Sequence, residues 1–287
     1  MPSPEVQAFF DDSTNTISYV VSDPASGHCA VVDSVLGFDS SSGRTDTIAA
    51  DAIIEYINGN SLDLRFILET HVHADHLTAA PHLQAQLGGQ IGIGACIAEV
   101  QEVFTEVFNL RDVPADGSQF DILLNEGDEV RLGELNLRVL HTPGHTPACC
   151  TYVIGDAAFV GDTLFMPDFG TARCDFPGGD AGVLYDSIQR IFALPSETRL
   201  FMCHDYKAPG RDEFAWETTV ARERSENVHL NDQVSREAFV EFRGGRDSNL
   251  DMPKLILPAI QVNIRAGRMP SPEDNGVCYL KTPLNRL

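Results

Sequence analysis

The stretch His71-Val72-His73-Ala74-Asp75-His76 places three imidazoles and one carboxylate within six residues. It follows Leu64-Arg65-Phe66-Ile67-Leu68-Glu69-Thr70, a short, mostly apolar run that reads as a β-strand. Turns at the carboxyl ends of strands are where α/β folds gather their sites. Core packing gives no reason for four such side chains, because buried polar groups need partners. Imidazole nitrogen and carboxylate oxygen are donors suited to zinc, iron or manganese. The cluster predicts a metal centre.

Three further motifs end strands in the same way. The alternating run 135–140 leads into Thr142-Pro143-Gly144-His145-Thr146-Pro147. Segments 149–154 and 157–160 flank Gly155-Asp156, a hairpin signal, and lead into Gly161-Asp162-Thr163-Leu164-Phe165. The run 199–203 ends at Cys203-His204-Asp205-Tyr206. Each brings one more ligand candidate: His145, Asp162 and His204.

The rest of the chain supplies a frame. Segments 17–23 and 28–34 read as an antiparallel strand pair, and 90–94 and 129–132 as further strands. Over 45–59, Ile48, Ala52, Ile53, Tyr56 and Ile57 form a helical stripe, with Asp46 as its cap. Helices are also expected over 76–87, 97–108, 185–192, 216–224 and 235–243. Strand groups separated by helices predict an α+β fold with two sheets between helices. One domain is expected over 1–287, with 210–287 as a helical, wrapping extension.

Composition narrows the function. The 287 residues include 42 acidic and 20 basic ones, a net charge of −22. That balance argues against nucleic acid and against an anionic membrane surface as partners. An anionic small molecule remains compatible, because a local cationic pocket can sit inside a negative shell. No apolar run is long enough for a membrane-spanning helix. The opening Met1-Pro2-Ser3-Pro4-Glu5 has no basic segment followed by an apolar one, so no signal peptide is expected. The seven cysteines are scattered and form no C-x-x-C pair, which predicts free thiols and a cytoplasmic location. A homodimer is the expectation for a soluble enzyme.

Taken in order, the five ligand motifs resemble those of the metallo-β-lactamase superfamily. The resemblance implies an αββα sandwich of two mixed β-sheets flanked by helices, with a metal site at one edge. In the superfamily's dinuclear pattern, His71, His73 and His145 would hold one metal and Asp75, His76 and His204 the second, with Asp162 bridging. Narrower segments are similar to the persulfide dioxygenases: residues 70–80, 141–147 and 161–165, and His204-Asp205-Tyr206. Arg173-Cys174-Asp175-Phe176 and Pro258-Ala259-Ile260-Gln261-Val262-Asn263 extend that likeness.

That family implies a single Fe(II) held by His71, His145 and Asp162, with His73, Asp75, His76 and His204 around it. The implied reaction converts glutathione persulfide, or a related small persulfide, with O₂ and water into glutathione and sulfite. Tyr206 either donates to bound oxygen or sulfur or anchors the sheet edge. Arg173 and Asp175 are substrate-binding candidates: the Arg173 fork pairs with a glutathione carboxylate, or it closes an internal bridge to Asp175. Lys207 and Arg211 are further cationic candidates. Two other readings stand beside this one. The first is a glutathione thioester hydrolase of the glyoxalase II kind with two Zn(II). The second is a non-catalytic, metal-stabilised thiol-binding or sensor protein.

Overall fold

Period-two apolar patterning in the first part of the chain builds a sheet covered on both faces. The computed structural model describes residues 3–286; Met1, Pro2 and Leu287, the ends of the expected 1–287 unit, lie outside the described residues. The chain opens with β1 (Glu5–Asp11), β2 (Thr16–Ser22), β3 (His28–Val32), β4 (Val35–Asp39) and β5 (Arg44–Asp46). Next come α1 (Ile48–Gly59), β6 (Asp63–Leu68), β7 (Leu77–Thr78), α2 (Ala80–Leu87), β8 (Gln90–Gly94), α3 (Ile97–Val107) and β9 (Ile122–Leu124). The first sheet has the order β1-β2-β3-β6-β8-β9, antiparallel as far as β3 and parallel beyond it. Strands β5-β4-β7 form a separate small sheet.

The second half contributes β10 (Glu129–Leu132), β11 (Leu135–His141), β12 (Cys150–Ile154), β13 (Ala157–Phe159), α4 (Ala181–Phe192), β14 (Arg199–Phe201) and β15 (Glu217–Thr219). These six strands make the second sheet in sequence order, with only β13 and β14 parallel. Helices α5 (Val220–Glu226), α6 (Arg236–Asp247) and α7 (Ile256–Asn263) follow.

Three apolar layers hold these parts together, as expected for two mixed sheets between helices. Ile17, Tyr19 and Val21 of β2 meet Leu137, Tyr152 and Phe159 of the second sheet between the two sheets. Val20 and Val31, on the opposite face, pack with Ile53, Leu83, Ile97 and Phe104 of α1, α2 and α3. The outer face of the second sheet packs Val160 and Leu200 against Leu184, Ile188, Val220 and Phe239 of α4, α5 and α6. Each fully buried side chain of this size contributes about 1.5–3 kcal/mol.

Polar stitches join the sheets near the ligand-bearing turns. The Tyr19 hydroxyl donates to Met202 O (2.5 Å), and the Tyr152 hydroxyl to Glu69 O (2.7 Å). Backbone bonds run from Ile17 N to Cys203 O and from Cys150 N to Thr70 O. The turns after β6 and β14 are thereby tied to the opposite sheet.

Several expectations shift. An unanticipated β1 precedes the opening pair and matches β2 residue for residue. The helix expected over 76–87 begins at Ala80, because Leu77 and Thr78 pair with β4 instead; Pro81 then falls in its first turn, where its missing N–H is tolerated. Asp46 lies in β5, yet its carboxylate still accepts Ile48 N at the helix start. The helix expected from Trp216 begins at Val220, after β15 has paired with β14. Buried helix α7 lies where only a wrapping tail was foreseen. The seven cysteines are free thiols. Among the described residues no helix is long and apolar enough to cross a membrane.

Glu223 in α5 is fully buried and accepts one hydrogen bond, from Asn227 Nδ2, while its other oxygen has no partner. Burial pushes its carboxyl pKa up to about 8. The unfolded chain releases this proton near the ordinary value of 4.5 while the folded chain keeps it, so folding stability falls between pH 4.5 and 8. Glu223→Gln should remove that decline, leaving the variant more stable than the parent at pH 8. Urea unfolding at pH 5 and pH 8 measures the difference.

Candidate metal centre

Each of five histidines has one ring nitrogen fixed by a hydrogen bond, which leaves the other as a bare lone pair. The Thr70 hydroxyl donates to Asp33 Oδ2 (2.9 Å), so it can only accept from His71 Nδ1 (3.0 Å). His71 Nε2 then carries the lone pair. The Arg173 carbonyl accepts from His145 Nδ1 (2.8 Å), freeing His145 Nε2. Asp75 Oδ2 takes His76 Nδ1 (3.2 Å), and Asn15 O takes His204 Nδ1 (3.2 Å). His73 is turned the other way. Its Nε2 faces Asp33 Oδ1 at 3.0 Å and Glu69 Oε2 at 3.4 Å, which leaves Nδ1 free.

These free nitrogens are buried and face carboxylates. His71 Nε2 lies 4.0 Å and His145 Nε2 3.7 Å from Asp162 Oδ2. His204 Nε2 is 3.3 Å from Asp75 Oδ2 and 3.4 Å from Asp162 Oδ1. His73 Nδ1, His76 Nε2, His204 Nε2 and Asp162 Oδ1 have no hydrogen-bond partner. Orphaned buried donors and acceptors of this kind are costly unless something else satisfies them. A cation fits this donor set.

Titration follows from burial. Desolvation depresses the pKa of His71 well below its ordinary value, and lowers those of His145 and His76. These rings are neutral at pH 7, the form that ligates. Burial also disfavours charge on His73, but the Asp33 and Glu69 carboxylates outweigh it and raise that pKa well above normal. For Asp75, His204 and His76 overcome the burial penalty and hold the carboxyl well below the usual range.

The fold brings all seven predicted ligand residues to one edge of the sandwich, but they do not divide evenly. The ligand atoms of His71, His145 and Asp162 lie within 4.8 Å of one another. Asp75 and His76 converge with His73, whereas His204 converges with His73 and Cys203. The turns depend on local backbone chemistry. Gly144 has φ +135°, and a side chain there would collide with the Leu184 backbone of α4. Gly161 has φ +52° and presses on Thr70, so both glycines allow the ligand that follows to reach the centre.

A cavity of about 540 Å³ opens from Asp75, His145 and Asp162, with Phe165, Phe176 and Tyr206 among its walls. Tyr206 is 42% exposed as a residue and stacks on His204 with ring centroids 5.6 Å apart. Its hydroxyl end is desolvated and faces the Asp75 and Asp162 charges, which hold its pKa well above normal. At neutral pH it is a hydrogen-bond donor.

The predicted substrate anchors are arranged differently. Arg173 lines the cavity, but Nε and Nη2 each hold one oxygen of Asp175 at 2.6 Å, and Nη1 donates to Asp251 O. Asp175 is outside the cavity lining. Arg211 bridges Asp205 and Asp168.

Four residues central to this arrangement were not singled out in the sequence. Asp33 and Glu69 grip His73, and Thr16 Oγ1 touches His76 and His204 at 3.4 and 3.3 Å. Asn263, at the end of α7, donates to His73 O and His76 O (both 2.8 Å) and accepts from Thr78 N (2.9 Å). The signal for Asn263 was the apolar burst Ile256-Leu257-Pro258-Ala259-Ile260 in an otherwise polar tail.

The metallo-β-lactamase superfamily model matches residues 14–204, which include every ligand motif. The chain belongs to the metallo-β-lactamase superfamily. It is 55% identical to a probable metallo-hydrolase of Burkholderia pseudomallei, over 98% of this chain and 99% of that one. It is 31% identical to the mitochondrial persulfide dioxygenase ETHE1 of Homo sapiens, over 91% of this chain and 88% of that one. The crystal structure of ETHE1 from Myxococcus xanthus superposes with a TM-score of 0.73 at 31% identity, over 92% of this chain and all of that one. Superfamily membership and the convergent donor set make this a metal-dependent enzyme.

Asn263→Ala should loosen the ligand turn by removing three buried hydrogen bonds, at a cost of about 3 kcal/mol. The expected result is a lower unfolding midpoint together with severalfold weaker metal retention, measured by elemental analysis after dialysis against a mild chelator.

Proposed function

We propose that this enzyme is a persulfide dioxygenase with one Fe(II) per chain, held by His71, His145 and Asp162. The observation that carries the reading is the convergence of those three donors, while Asp75, His76 and His204 do not close a matching second triad. Two neutral imidazoles and one carboxylate are the donor set of non-haem Fe(II) oxygenases, which keep open positions for reactants. Similarity to two persulfide dioxygenases along most of the chain supports the same reading.

In this reading the iron supplies the redox chemistry that joins the terminal persulfide sulfur to O₂. The balanced reaction takes one persulfide, one O₂ and one water to one thiol and one sulfurous acid, present as sulfite. The protein's part is to place the reactants and set the local charge. Asp162 contributes a negative charge and His71 and His145 contribute none. Asp33, through Thr70, holds the His71 tautomer, and the Arg173 carbonyl holds that of His145. Tyr206, protonated, donates towards the reacting oxygen or sulfur. Phe165, Phe169 and Phe176 keep the persulfide in an apolar, water-poor channel.

A second reading is a dinuclear hydrolase of glutathione thioesters with two Zn(II). The free nitrogens of His73, His76 and His204 favour it, as does the metallo-hydrolase name of the Burkholderia relative. An oxygen electrode separates the two. Iron-loaded protein given glutathione persulfide should consume about one O₂ per sulfite formed, with no uptake on glutathione alone. Asp162→Ala should lose iron and O₂ uptake together, whereas Asp75→Ala should retain iron. Two tightly held zinc ions per chain, with cleavage of S-lactoylglutathione and no O₂ uptake, would establish the hydrolase instead.

A further inference from the structure

The cavity has two chemically different ends. The buried end carries His145 and Asp162 beside the metal donors, and the exposed end carries Arg246, Asp251 and Lys254. Between them the walls are largely apolar, with Phe165, Phe169 and Leu255 among them. Four cationic side chains line this space: Arg173, Arg243, Arg246 and Lys254. Arg173 is neutralised by Asp175, and Arg243 by Asp247 while it also donates to Thr171 O (3.2 Å). Among the described residues the Arg246 and Lys254 side chains have neither an acidic partner nor a hydrogen bond. The Asp251 carboxylate is likewise uncommitted; only its backbone carbonyl is used, by Arg173.

Two unpaired cations at one cavity mouth are unusual in a chain with net charge −22. The surrounding field repels anions, so a local positive pair selects for an anionic group at that spot. An adjacent free carboxylate adds a place for a cation. Mouth and metal donors share one cavity of about 540 Å³, within the range of small-ligand sites.

We infer that Arg246, Lys254 and Asp251 form the recognition site for the distal part of a zwitterionic, peptide-like thiol. Arg246 and Lys254 take a carboxylate, Asp251 takes the α-ammonium, and the sulfur end reaches His71, His145 and Asp162. Arg173 acts one step removed. Its Nη1 and Nη2 donate to Asp251 O (2.6 Å) and Leu250 O (3.4 Å), which fastens the segment that carries the anchors. Arg173 is therefore a positioning residue for the mouth. The inference deepens the persulfide reading by naming the substrate class, and it rests on that reading for the sulfur end only.

The test uses the full-length, metal-loaded protein and the unreactive probe S-methylglutathione, with binding followed by calorimetry. The double variant Arg246→Gln/Lys254→Gln should bind the probe at least tenfold more weakly, with an unchanged unfolding midpoint because both side chains are exposed. Asp251→Asn should weaken the probe but not its analogue lacking the α-amino group. In oxygen uptake, the double variant's kcat/KM for glutathione persulfide, relative to that for the uncharged mercaptoethanol persulfide, should fall at least tenfold, mostly through KM. Probe binding within twofold of the parent, or equal losses on both persulfides, overturns the assignment. If no persulfide drives O₂ uptake while the probe still loses tenfold in the double variant, the anchor stands and the dioxygenase reading falls. If uptake is normal but indifferent to the double variant, the reaction stands and the anchor falls.

Discussion

Asp33 sits at the end of β3, buried, with φ +52°, and its carboxylate accepts four donors. Thr70 N (2.7 Å), Thr70 Oγ1 (2.9 Å) and His73 Nε2 (3.0 Å) are three of them, and the Cys203 thiol at 3.5 Å is the fourth. These contacts join the first sheet's central strand, the turn after β6 and the turn after β14. They also set which nitrogen of His71 and of His73 faces the centre. The position is costly to desolvate, but the His73 charge and the Thr70 donors outweigh burial and keep Asp33 ionised below its ordinary pKa. A neutral replacement would reverse the tautomer logic at two ligands, so the centre depends on this carboxylate as much as on its own donors.

The ligand motifs were legible because they are local: His71 through His76 is one turn, and each later ligand follows a recognisable strand. The supports were not legible because they are distant in sequence. Asp33 reads as the last residue of an ordinary strand, Val31-Val32-Asp33, and nothing near it shows that position 70 will fold against it. Strand β1 was missed because Glu5-Val6-Gln7-Ala8-Phe9-Phe10-Asp11 breaks its alternation at two adjacent phenylalanines; Phe9 packs towards α1 while Phe10 packs between the sheets. Leu77 and Thr78 carry helix-compatible spacing, but the pairing with β4 and the hydrogen bond to Asn263 override it.

Charge follows the same division between local and distant. Arg173 and Asp175 are two residues apart, so the sequence could pose an internal pair but not decide whether a ligand would compete for it. The structure adds two backbone carbonyls from residues 250 and 251 to the same guanidinium. A planar fork with both edges engaged has little capacity for a further carboxylate. Arg211 shows the same pattern: its two ion pairs join the loop bearing Asp168 to buried Asp205, next to Tyr206.

The superfamily match ends at residue 204, yet the segment beyond it reaches back to every part of the centre. Asn263 fastens the ligand turn, Arg243 takes the Thr171 carbonyl, and Asp247 accepts Cys174 N beside the Arg173 carbonyl that fixes His145. The same helix α6 that carries Arg243 and Asp247 inward carries Arg246 to the cavity mouth. Helix geometry puts positions 243, 246, 247 and 250 on one face. A substitution that shifts α6 would therefore move ligand support and cavity mouth together. The ligand motifs can be shared across a superfamily with many reactions, while the segment after residue 204 determines what reaches them.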